Sequence, residues 1–175
     1  MNLNRYIRTV PDWPKPGIQF RDITTLIADP AGLAECVEGL LAHYRGLDFD
    51  KVVGIESRGF VFGAILAERL GKGLVFARKP GKLPAATISE SYTLEYGTNT
   101  IEMHLDAIQP GERTIVIDDL CATGGTALAA VKLVERLGGK VLEVGFVIDL
   151  PDLDGSTKIR AAGYPTFALT EFAGD

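Results

Sequence analysis

Cysteine, histidine and tryptophan are rare in this 175-residue chain, which contains two, two and one of them, respectively. A disulfide framework needs more cysteines than Cys36 and Cys121, so we expect both to be reduced thiols. His43 and His104 are isolated, and no cysteine and histidine spacing is typical of a metal site. These absences argue against a secreted disulfide scaffold and against a zinc module.

Long apolar runs and an excess of positive charge are also missing. No hydrophobic run approaches the roughly 20 residues that cross a bilayer. The start, MNLNRYIRTVPDW, lacks the charged-then-apolar order of a signal peptide, so we expect a cytoplasmic protein without membrane contact. Eighteen basic and 23 acidic side chains give a net charge of −5, which disfavours general nucleic-acid binding.

What remains is the composition of a folded protein, with 46% hydrophobic residues and a mean hydropathy of +0.15. The length suits one domain over residues 1–175, and we find no repeat, low-complexity tract or linker. From residue 51 onward, short β-branched runs alternate with longer amphipathic stretches. This alternation predicts an α/β fold, a mostly parallel central sheet flanked by helices. The predicted strands are residues 52–55, 74–77, 114–117 and 141–148, and the predicted helices are 33–44, 60–70 and 127–137.

Two segments depart from this alternation. Residues 11–24, PDWPKPGIQFRDIT, contain Pro11, Pro14 and Pro16, which exclude a regular helix, and we expect an irregular but ordered segment. Residues 80–100 begin with turn residues and then alternate polar and apolar side chains, which is typical of a half-exposed β-ribbon. We interpret this ribbon as a flap.

The most informative stretch is IVIDDLCATGGT, residues 115–126, in which a strand leads through two acids and a small-residue loop into a helix. Gly124 and Gly125 allow a tight turn with accessible N–H groups, and Thr123 and Thr126 add hydroxyl donors at the positive end of the helix dipole. Asp118 and Asp119 suit the vicinal hydroxyls of a sugar. The loop therefore predicts a ribose phosphate site. A plain strand-to-helix turn would explain the glycines alone, and the dinucleotide and triphosphatase motifs do not fit the spacing.

Other candidates allow both a structural and a functional interpretation. In GIESRGFVFG, Arg58 follows Glu56 in a second strand-to-helix turn and could bind an anion or form a surface ion pair. Between Arg69 and Lys82 the chain carries cations and no acid, which indicates a bound polyanion or a solvated basic face. Phe20 beside Arg21 could stack on a flat base or belong to the core. Glu95 and Tyr96 could act in a closing flap or lie in an ordinary hairpin.

Together these motifs resemble the type I phosphoribosyltransferases, and the resemblance extends over nearly the whole chain. It rests on PGIQFRDIT, GIESRGFVFG, RKPGKLP, SYTLEYG and IVIDDLCATGGT in combination. It implies the fold of that family, with a flexible flap and an N-terminal hood that binds the base. It also implies that the phosphoribosyl group of 5-phosphoribosyl 1-pyrophosphate passes to adenine in purine salvage, giving AMP and pyrophosphate, with magnesium held mainly by the sugar diphosphate.

The resemblance also implies roles for single residues. Asp118, Asp119 and Glu95 would be catalytic, with Glu95 moving a proton on the base. The pyrophosphate would be bound by the turn around Arg58, often through a non-proline cis peptide in the family, while Glu56 is given no role. The substrate-binding residues would be Phe20, Arg21, Arg58, Arg78, Lys79, Lys82, Tyr96, Ala122, Thr123, Gly124, Gly125 and Thr126. No residue is expected to bind a metal directly, and some of the lysines would reach a partner subunit's site in a homodimer.

Two alternatives stay open. Ala122 favours adenine, because relatives that act on hypoxanthine and guanine usually carry an acid there, but some xanthine-type relatives also have alanine. The same reaction on another base is therefore the nearer alternative. The other is a non-catalytic sensor of phosphoribosyl pyrophosphate, against which the net charge and the missing helix-turn-helix extension argue.

Overall fold

The computed structural model describes residues 2–93 and 97–173. Its strands are β1 (Arg8–Pro11), β2 (Gln19–Asp22), β3 (Lys51–Ile55), β4 (Gly73–Ala77), β5 (Thr87–Thr93), β6 (Thr98–His104), β7 (Arg113–Cys121), β8 (Lys140–Asp149) and β9 (Thr166–Glu171). Its α-helices are α1 (Thr24–Ala28), α2 (Pro30–Tyr44), α3 (Gly59–Leu70), α4 (Gly125–Arg136) and α5 (Gly155–Ala161). Short 3₁₀ turns lie at Leu3–Tyr6 and Pro151–Leu153.

The central sheet has five strands in the order β4, β3, β7, β8, β9, and every neighbouring pair is parallel. Helices cover both faces, as a parallel sheet requires because both faces of its strands are apolar. Side chains of α2 and α3 pack on one face around Val52, Ile115 and Ile117, and those of α4 and α5 pack on the other around Val53, Val116 and Val144. The predicted fold class is confirmed.

The order of the strands places a crevice in the middle of the sheet. From β3 the chain passes through α3 to β4 on one side, and from β7 it passes through α4 to β8 on the other. In open α/β sheets, ligands bind beyond the carboxyl ends of the strands where the direction of winding reverses. Here that point lies between β3 and β7. Arg58 comes just after the carboxyl end of β3, and Asp118 lies near the carboxyl end of β7.

The predicted β-ribbon is confirmed by the structure, in which β5 and β6 form an antiparallel pair from Thr87 paired with His104 to Thr93 paired with Thr98. Its role as a flap stays a prediction. The prediction for residues 11–24 is partly wrong. Gln19–Asp22 is a strand that pairs with Arg8–Pro11, because Pro14 and Pro16 lie in the connection and Pro11 is the last residue of β1, so neither strand is interrupted. This β1–β2 pair is the N-terminal hairpin.

Other elements also differ from expectation. Strand β7 continues to Cys121, so Asp118 and Asp119 lie within the strand rather than after it. Strand β9 and helix α5 were not predicted.

Cys36 and Cys121 are both buried free thiols, and burial raises the pKa of each to about 12. Within the described residues, no helix is both long enough and apolar enough to span a membrane.

Candidate functional site

A cleft of about 680 Å³ opens between the carboxyl ends of β3 and β7. Two strand-to-helix turns meet there, one before α3 and one before α4. The ribbon of β5 and β6 closes the opposite side. The residues that line the cleft are Glu56, Ser57, Arg58, Lys79, Pro80, Tyr92, Thr98, Asn99, Thr100, Ile101, Asp118, Asp119, Leu120 and Thr126.

The turn before α4, residues 122–126, is named here the phosphate turn. Gly124 occupies the N-cap position of α4 with φ +79°, a left-handed conformation that favours glycine. A Cβ at this position would lie 2.8 Å from the carbonyl oxygen of Gly155, so the packing also requires glycine. Because glycine has no side chain to cap the helix, the first N–H groups of α4 are free to bind a ligand. These are the backbone features on which the prediction of an anion site depends, and the site itself stays a prediction.

A recess of about 90 Å³ lies at the phosphate turn. Asp118 lines this recess as well as the cleft. No charged side chain belongs to residues 122–126, so the positive end of α4 and the hydroxyls of Thr123 and Thr126 would supply the attraction for an anion. The residues lining the recess are Asp118, Leu120, Cys121, Ala122, Thr123, Gly124, Gly125, Thr126, Ala127 and Phe146.

The turn before α3, residues 56–59, is named here the Arg58 turn. The Nε of Arg58 donates a hydrogen bond to a carboxylate oxygen of Asp119 in an ion pair that joins this turn to β7. Burial opposes the charge on Arg58, but the hydrogen bond and the charge of Asp119 outweigh it and raise the pKa of Arg58. The peptide bond between Glu56 and Ser57 is cis, as expected for this turn. The structure therefore places a permanent cation next to an acid expected to bind the sugar.

Asp118 differs from Asp119 in its surroundings. Its Oδ1 accepts a hydrogen bond from the backbone N–H of Asp119 at 2.8 Å. Removal from water, followed by the charge of Asp119, raises the pKa of Asp118 well above its ordinary value. The two adjacent acids are therefore not equivalent. Asp119 accepts a hydrogen bond from the guanidinium of Arg58, whereas Asp118 accepts one from a backbone N–H.

Glu56, which was given no role, joins the Arg58 turn to the end of β4. Its carboxylate accepts hydrogen bonds from Arg78 Nε at 3.2 Å, from Arg78 Nη2 at 3.3 Å and from the backbone N–H of Lys79 at 2.9 Å. Burial raises the pKa of Glu56, but these donors outweigh it and the pKa is lowered. Glu56 therefore holds the corner from which Lys79 reaches the cleft.

The cations of this corner have different positions. Lys79 lines the cleft, whereas Arg78 does not: besides Glu56, it binds the backbone carbonyl of Lys82, to which its Nη1 donates at 3.1 Å. Lys82 itself is exposed and does not line the cleft. The structure thus brings Arg58 and Lys79 together with both acids, and it places Arg78 and Lys82 outside the lining.

The N-terminal hairpin carries the two residues predicted to contact the base. The half-buried Phe20 lies edge-on to Trp13, with ring centroids 4.4 Å apart. The guanidinium of Arg21 donates to Thr9 Oγ1 at 2.6 Å and lies 4.7 Å from the centre of the Phe172 ring. The Arg21 side chain therefore joins the hairpin to the C-terminal segment, and neither Phe20 nor Arg21 lines the cleft.

Two predicted residues, Glu95 and Tyr96, lie outside the described residues. A nearby cleft residue that sequence reasoning missed is Tyr92 of β5. Its signal was present in the alternation of the ribbon, because Ile88, Glu90 and Tyr92 share the less exposed face of β5. The contribution of Thr98–Ile101 could not be recognised from residue type, since it depends on how the ribbon folds over the cleft.

The acids of the cleft also bear on the magnesium prediction. Among the described residues, no group of three or more histidine, cysteine, aspartate or glutamate side chains could hold a metal ion. Mg²⁺ commonly binds through one or two carboxylates together with substrate phosphates. Asp118 and Asp119, which line the cleft, provide this kind of oxygen donor, so the site fits a magnesium ion that a phosphorylated substrate carries in.

Comparison with known proteins agrees with the resemblance to phosphoribosyltransferases. Residues 25–161 match the family model described as the phosphoribosyl transferase domain. A curated relative from Chlorobaculum tepidum, named adenine phosphoribosyltransferase, is 57% identical over 177 residues, which cover 100% of each chain.

Solved structures are similar over the same length. The adenine phosphoribosyltransferase of Thermoanaerobacter pseudethanolicus is 47% identical with a TM-score of 0.92, over 97% of this chain and 98% of that one. The enzyme of Saccharomyces cerevisiae, in complex with an imino-altritol bisphosphate and adenine, is 37% identical with a TM-score of 0.88, over 95% and 96% of the two chains.

Proposed function

The chain belongs to the phosphoribosyltransferase family, and from this premise we propose that it transfers the phosphoribosyl group of 5-phosphoribosyl 1-pyrophosphate to adenine. The products are AMP and pyrophosphate, so the reaction salvages a purine base. One observation carries the proposal: the uncapped N-terminus of α4 lies beside the paired acids Asp118 and Asp119, where the winding of the sheet reverses. The full-length similarity to adenine phosphoribosyltransferases supports the choice of base.

The substrate fits the cleft in one direction. Its 5′-phosphate would bind the phosphate turn, with the amides of residues 124–126 and the Thr123 and Thr126 hydroxyls as donors. The ribose hydroxyls would then lie near Asp118 and Asp119, and the diphosphate near Arg58 and Lys79. This arrangement is supported by Asp118, which lines both the recess at the phosphate turn and the cleft that contains Arg58 and Lys79.

The charges of the site suit the reaction. The bond from the anomeric carbon to the diphosphate breaks as a ring nitrogen of adenine forms a new bond to that carbon, and the base loses a proton. Positive charge develops on the ribose while negative charge develops on the leaving group. Asp119 would stabilise the first, and Arg58 and Lys79 the second, in a cleft where fixed charges are more effective than in water. Binding both substrates in one cleft also supplies the alignment of the reacting atoms.

The base would lie between the phosphate turn and the N-terminal hairpin. Ala122 places no charged side chain on this side of the cleft, which suits the neutral amino group of adenine. Phe20 would offer a flat apolar surface and the main chain beside Arg21 would supply hydrogen bonds. Glu95 and Tyr96 remain predictions for proton transfer and for closure over the base.

Magnesium, a homodimer and a cytoplasmic location complete the proposal. Magnesium would neutralise charge on the diphosphate and be held mainly through the substrate. The homodimer rests on the resemblance to the type I phosphoribosyltransferases alone. In such a dimer Arg78, Lys79 or Lys82 would reach a neighbouring site. Sedimentation velocity and a magnesium titration of activity test these points.

The direct test is AMP formation from adenine and phosphoribosyl pyrophosphate in the presence of magnesium. We expect AMP in stoichiometric amounts with pyrophosphate. Competition among radiolabelled adenine, hypoxanthine, guanine and xanthine then identifies the base, and preferred use of xanthine would contradict the assignment of adenine. Binding of phosphoribosyl pyrophosphate without any nucleotide product would instead support the sensor alternative.

A further inference from the structure

Tyr92 lines the cleft but has no part in the function described above. It lies on β5, three residues before the predicted proton-transfer residue Glu95. Its hydroxyl lies 2.8 Å from Oγ1 of Thr126, in the first turn of α4. A residue of the flap is therefore hydrogen-bonded to a residue of the phosphate turn.

The ring of Tyr92 also contacts this turn. A Cβ built at Gly125 would lie 2.8 Å from Cδ2 of Tyr92, so only a glycine allows the ring to approach so closely. The ring covers the backbone at one end of the phosphate turn, and the hydroxyl continues past it to Thr126. Any larger residue at position 125 would displace either the ring or the turn.

Ion pairs farther along β5 hold the strand in this register against α4. Glu90 pairs with Lys132 at 3.3 Å and with Arg136 at 3.0 Å, and Arg136 Nη1 donates to the carbonyl of Ser89 at 2.6 Å. Since Glu90 and Tyr92 are two residues apart, both side chains point to the same face of β5. The contact of Tyr92 with Thr126 thus belongs to a continuous interface between the ribbon and the helix.

The two hydroxyls have a limited number of protons to donate. Thr126 has a single hydroxyl hydrogen, and a Thr126 that donates it to Tyr92 cannot donate it to a phosphate oxygen. If Tyr92 donates to Thr126 instead, the hydrogen of Thr126 is free to bind the phosphate. A tyrosine hydroxyl can donate or accept a hydrogen bond. The two hydroxyls can therefore exchange the roles of donor and acceptor without any movement of heavy atoms.

We propose that Tyr92 is a positioning residue for the 5′-phosphate: with the anion bound, it donates to Thr126 Oγ1 and so directs the Thr126 hydroxyl hydrogen at the phosphate. This inference rests on the proposed function for the identity of the anion. Tyr92 acts through Thr126 rather than by touching the substrate. Its contribution depends on the Thr126 hydroxyl and disappears when that hydroxyl is removed.

A double-mutant cycle tests the proposal. Isothermal titration calorimetry measures the affinity of ribose 5-phosphate and, separately, of pyrophosphate for the wild type, Tyr92→Phe, Thr126→Val and the double variant. Tyr164→Phe is the matched control, because it removes a hydroxyl that donates to Glu135 at 2.5 Å, away from the cleft. Thermal melts of all variants establish that each is folded.

We expect Tyr92→Phe to weaken ribose 5-phosphate binding about fivefold, the effect of one hydrogen bond between neutral groups, and to leave pyrophosphate binding unchanged. The double variant should bind ribose 5-phosphate no more weakly than Thr126→Val alone. In steady-state assays the KM for phosphoribosyl pyrophosphate should rise while kcat changes less than twofold. A merely structural role for Tyr92 would weaken both ligands together.

Three results would overturn the inference. The first is an affinity for ribose 5-phosphate that is equal in Tyr92→Phe and the Tyr164→Phe control. The second is independent, additive losses in the double variant. The third is absence of ribose 5-phosphate binding in the wild type. A wild type that binds ribose 5-phosphate but makes no AMP refutes the proposed function alone, and the cycle then still decides the role of Tyr92.

Discussion

The phosphate turn and the Arg58 turn occupy equivalent places in the fold, each between a parallel strand and the helix that follows it, but they are built differently. The phosphate turn has no charged side chain, and its donors are backbone amides and hydroxyls held by the close packing of Gly124. The Arg58 turn contains Glu56 and Arg58, and both form ion pairs with other elements.

This difference corresponds to the two ends of the proposed substrate. The 5′-phosphate keeps its charge and place through the reaction, so a socket of backbone groups can hold it with little rearrangement. The diphosphate leaves, and its charge and position change. Side chains such as Arg58 can follow it, because their ion pairs can exchange partners. The following changes test whether the two turns are specialised in this way.

The largest effect is expected for Asp119→Asn. The variant loses the charge that would stabilise the ribose cation and leaves Arg58 without its ion-pair partner. We expect kcat to fall by about 10²–10³, the usual cost of removing one group that stabilises a transition state, with a much smaller rise in the KM for adenine. Steady-state kinetics measure both. Asp106→Asn, at an exposed position, is the control, and an unchanged kcat in Asp119→Asn would refute the sugar-site assignment.

A second variant, Gly124→Ala, changes the backbone of the phosphate turn alone. Its Cβ would lie 2.8 Å from the Gly155 carbonyl oxygen, at a φ of +79°. We expect the KM for phosphoribosyl pyrophosphate to rise at least tenfold and urea denaturation to show a loss of about 1–3 kcal/mol.

Gly111→Ala separates strain from packing in this test. Gly111 has a φ of +88° but nothing within 4 Å of the added Cβ. It should therefore lose only about 1–2 kcal/mol through backbone strain and retain its KM. Equal kinetic behaviour of the two alanine variants would show that the phosphate turn tolerates distortion.

At the Arg58 turn, Glu56→Gln should have a moderate effect. The amide oxygen can still accept from the Lys79 N–H, but it no longer pairs as an anion with Arg78. We expect the KM for phosphoribosyl pyrophosphate to rise about three- to tenfold, an effect of roughly 1 kcal/mol, and ribose 5-phosphate affinity to stay constant. If calorimetry shows equal weakening of ribose 5-phosphate and pyrophosphate, the two turns do not act on separate ends of the substrate.

The smallest effect concerns stability rather than rate. The pKa of Asp118 is raised in the folded state, so the folded protein binds more protons than the unfolded chain once the pH exceeds the ordinary aspartate value. Asp118 therefore contributes stability at low pH that is lost as the pH rises through its folded pKa. Asp118→Asn should raise Tm at pH 7 by about 2–4 °C, with a smaller gain at pH 4. A lower Tm at pH 7 would contradict this.

The predictability of the fold depended on local pattern strength. Strands β3, β7 and β8 were recognised because their buried β-branched runs lie between clear turn signals. Strand β9, with the sequence TFALTE, was missed because all but one of its residues are of intermediate exposure and its alternation is weak. The β2 strand was missed because three nearby prolines hid a four-residue pairing whose partner lies on the other side of the turn.

The same holds for the site. Asp118, Asp119 and residues 122–126 are contiguous, and their chemistry could be inferred from residue types and spacing alone. Glu56 could not be assigned a role, because its three donors come from Arg78 and Lys79, more than 20 residues away. The sequence alone does not distinguish Tyr92 from other aromatic residues of a ribbon, because its contact with Thr126 depends on the packing of the ribbon on α4.

A strand, its turn and the helix that follows are governed by neighbouring residues, so the composition of residues 115–126 was enough to predict an anion socket beside two acids. Which other elements meet that socket depends on the order of the strands, and local sequence contains little information about that order. The strand order places β3 beside β7 and so brings Arg58 to Asp119 across 61 residues. The packing of β5 on α4 likewise placed Tyr92 against Thr126 across 34 residues.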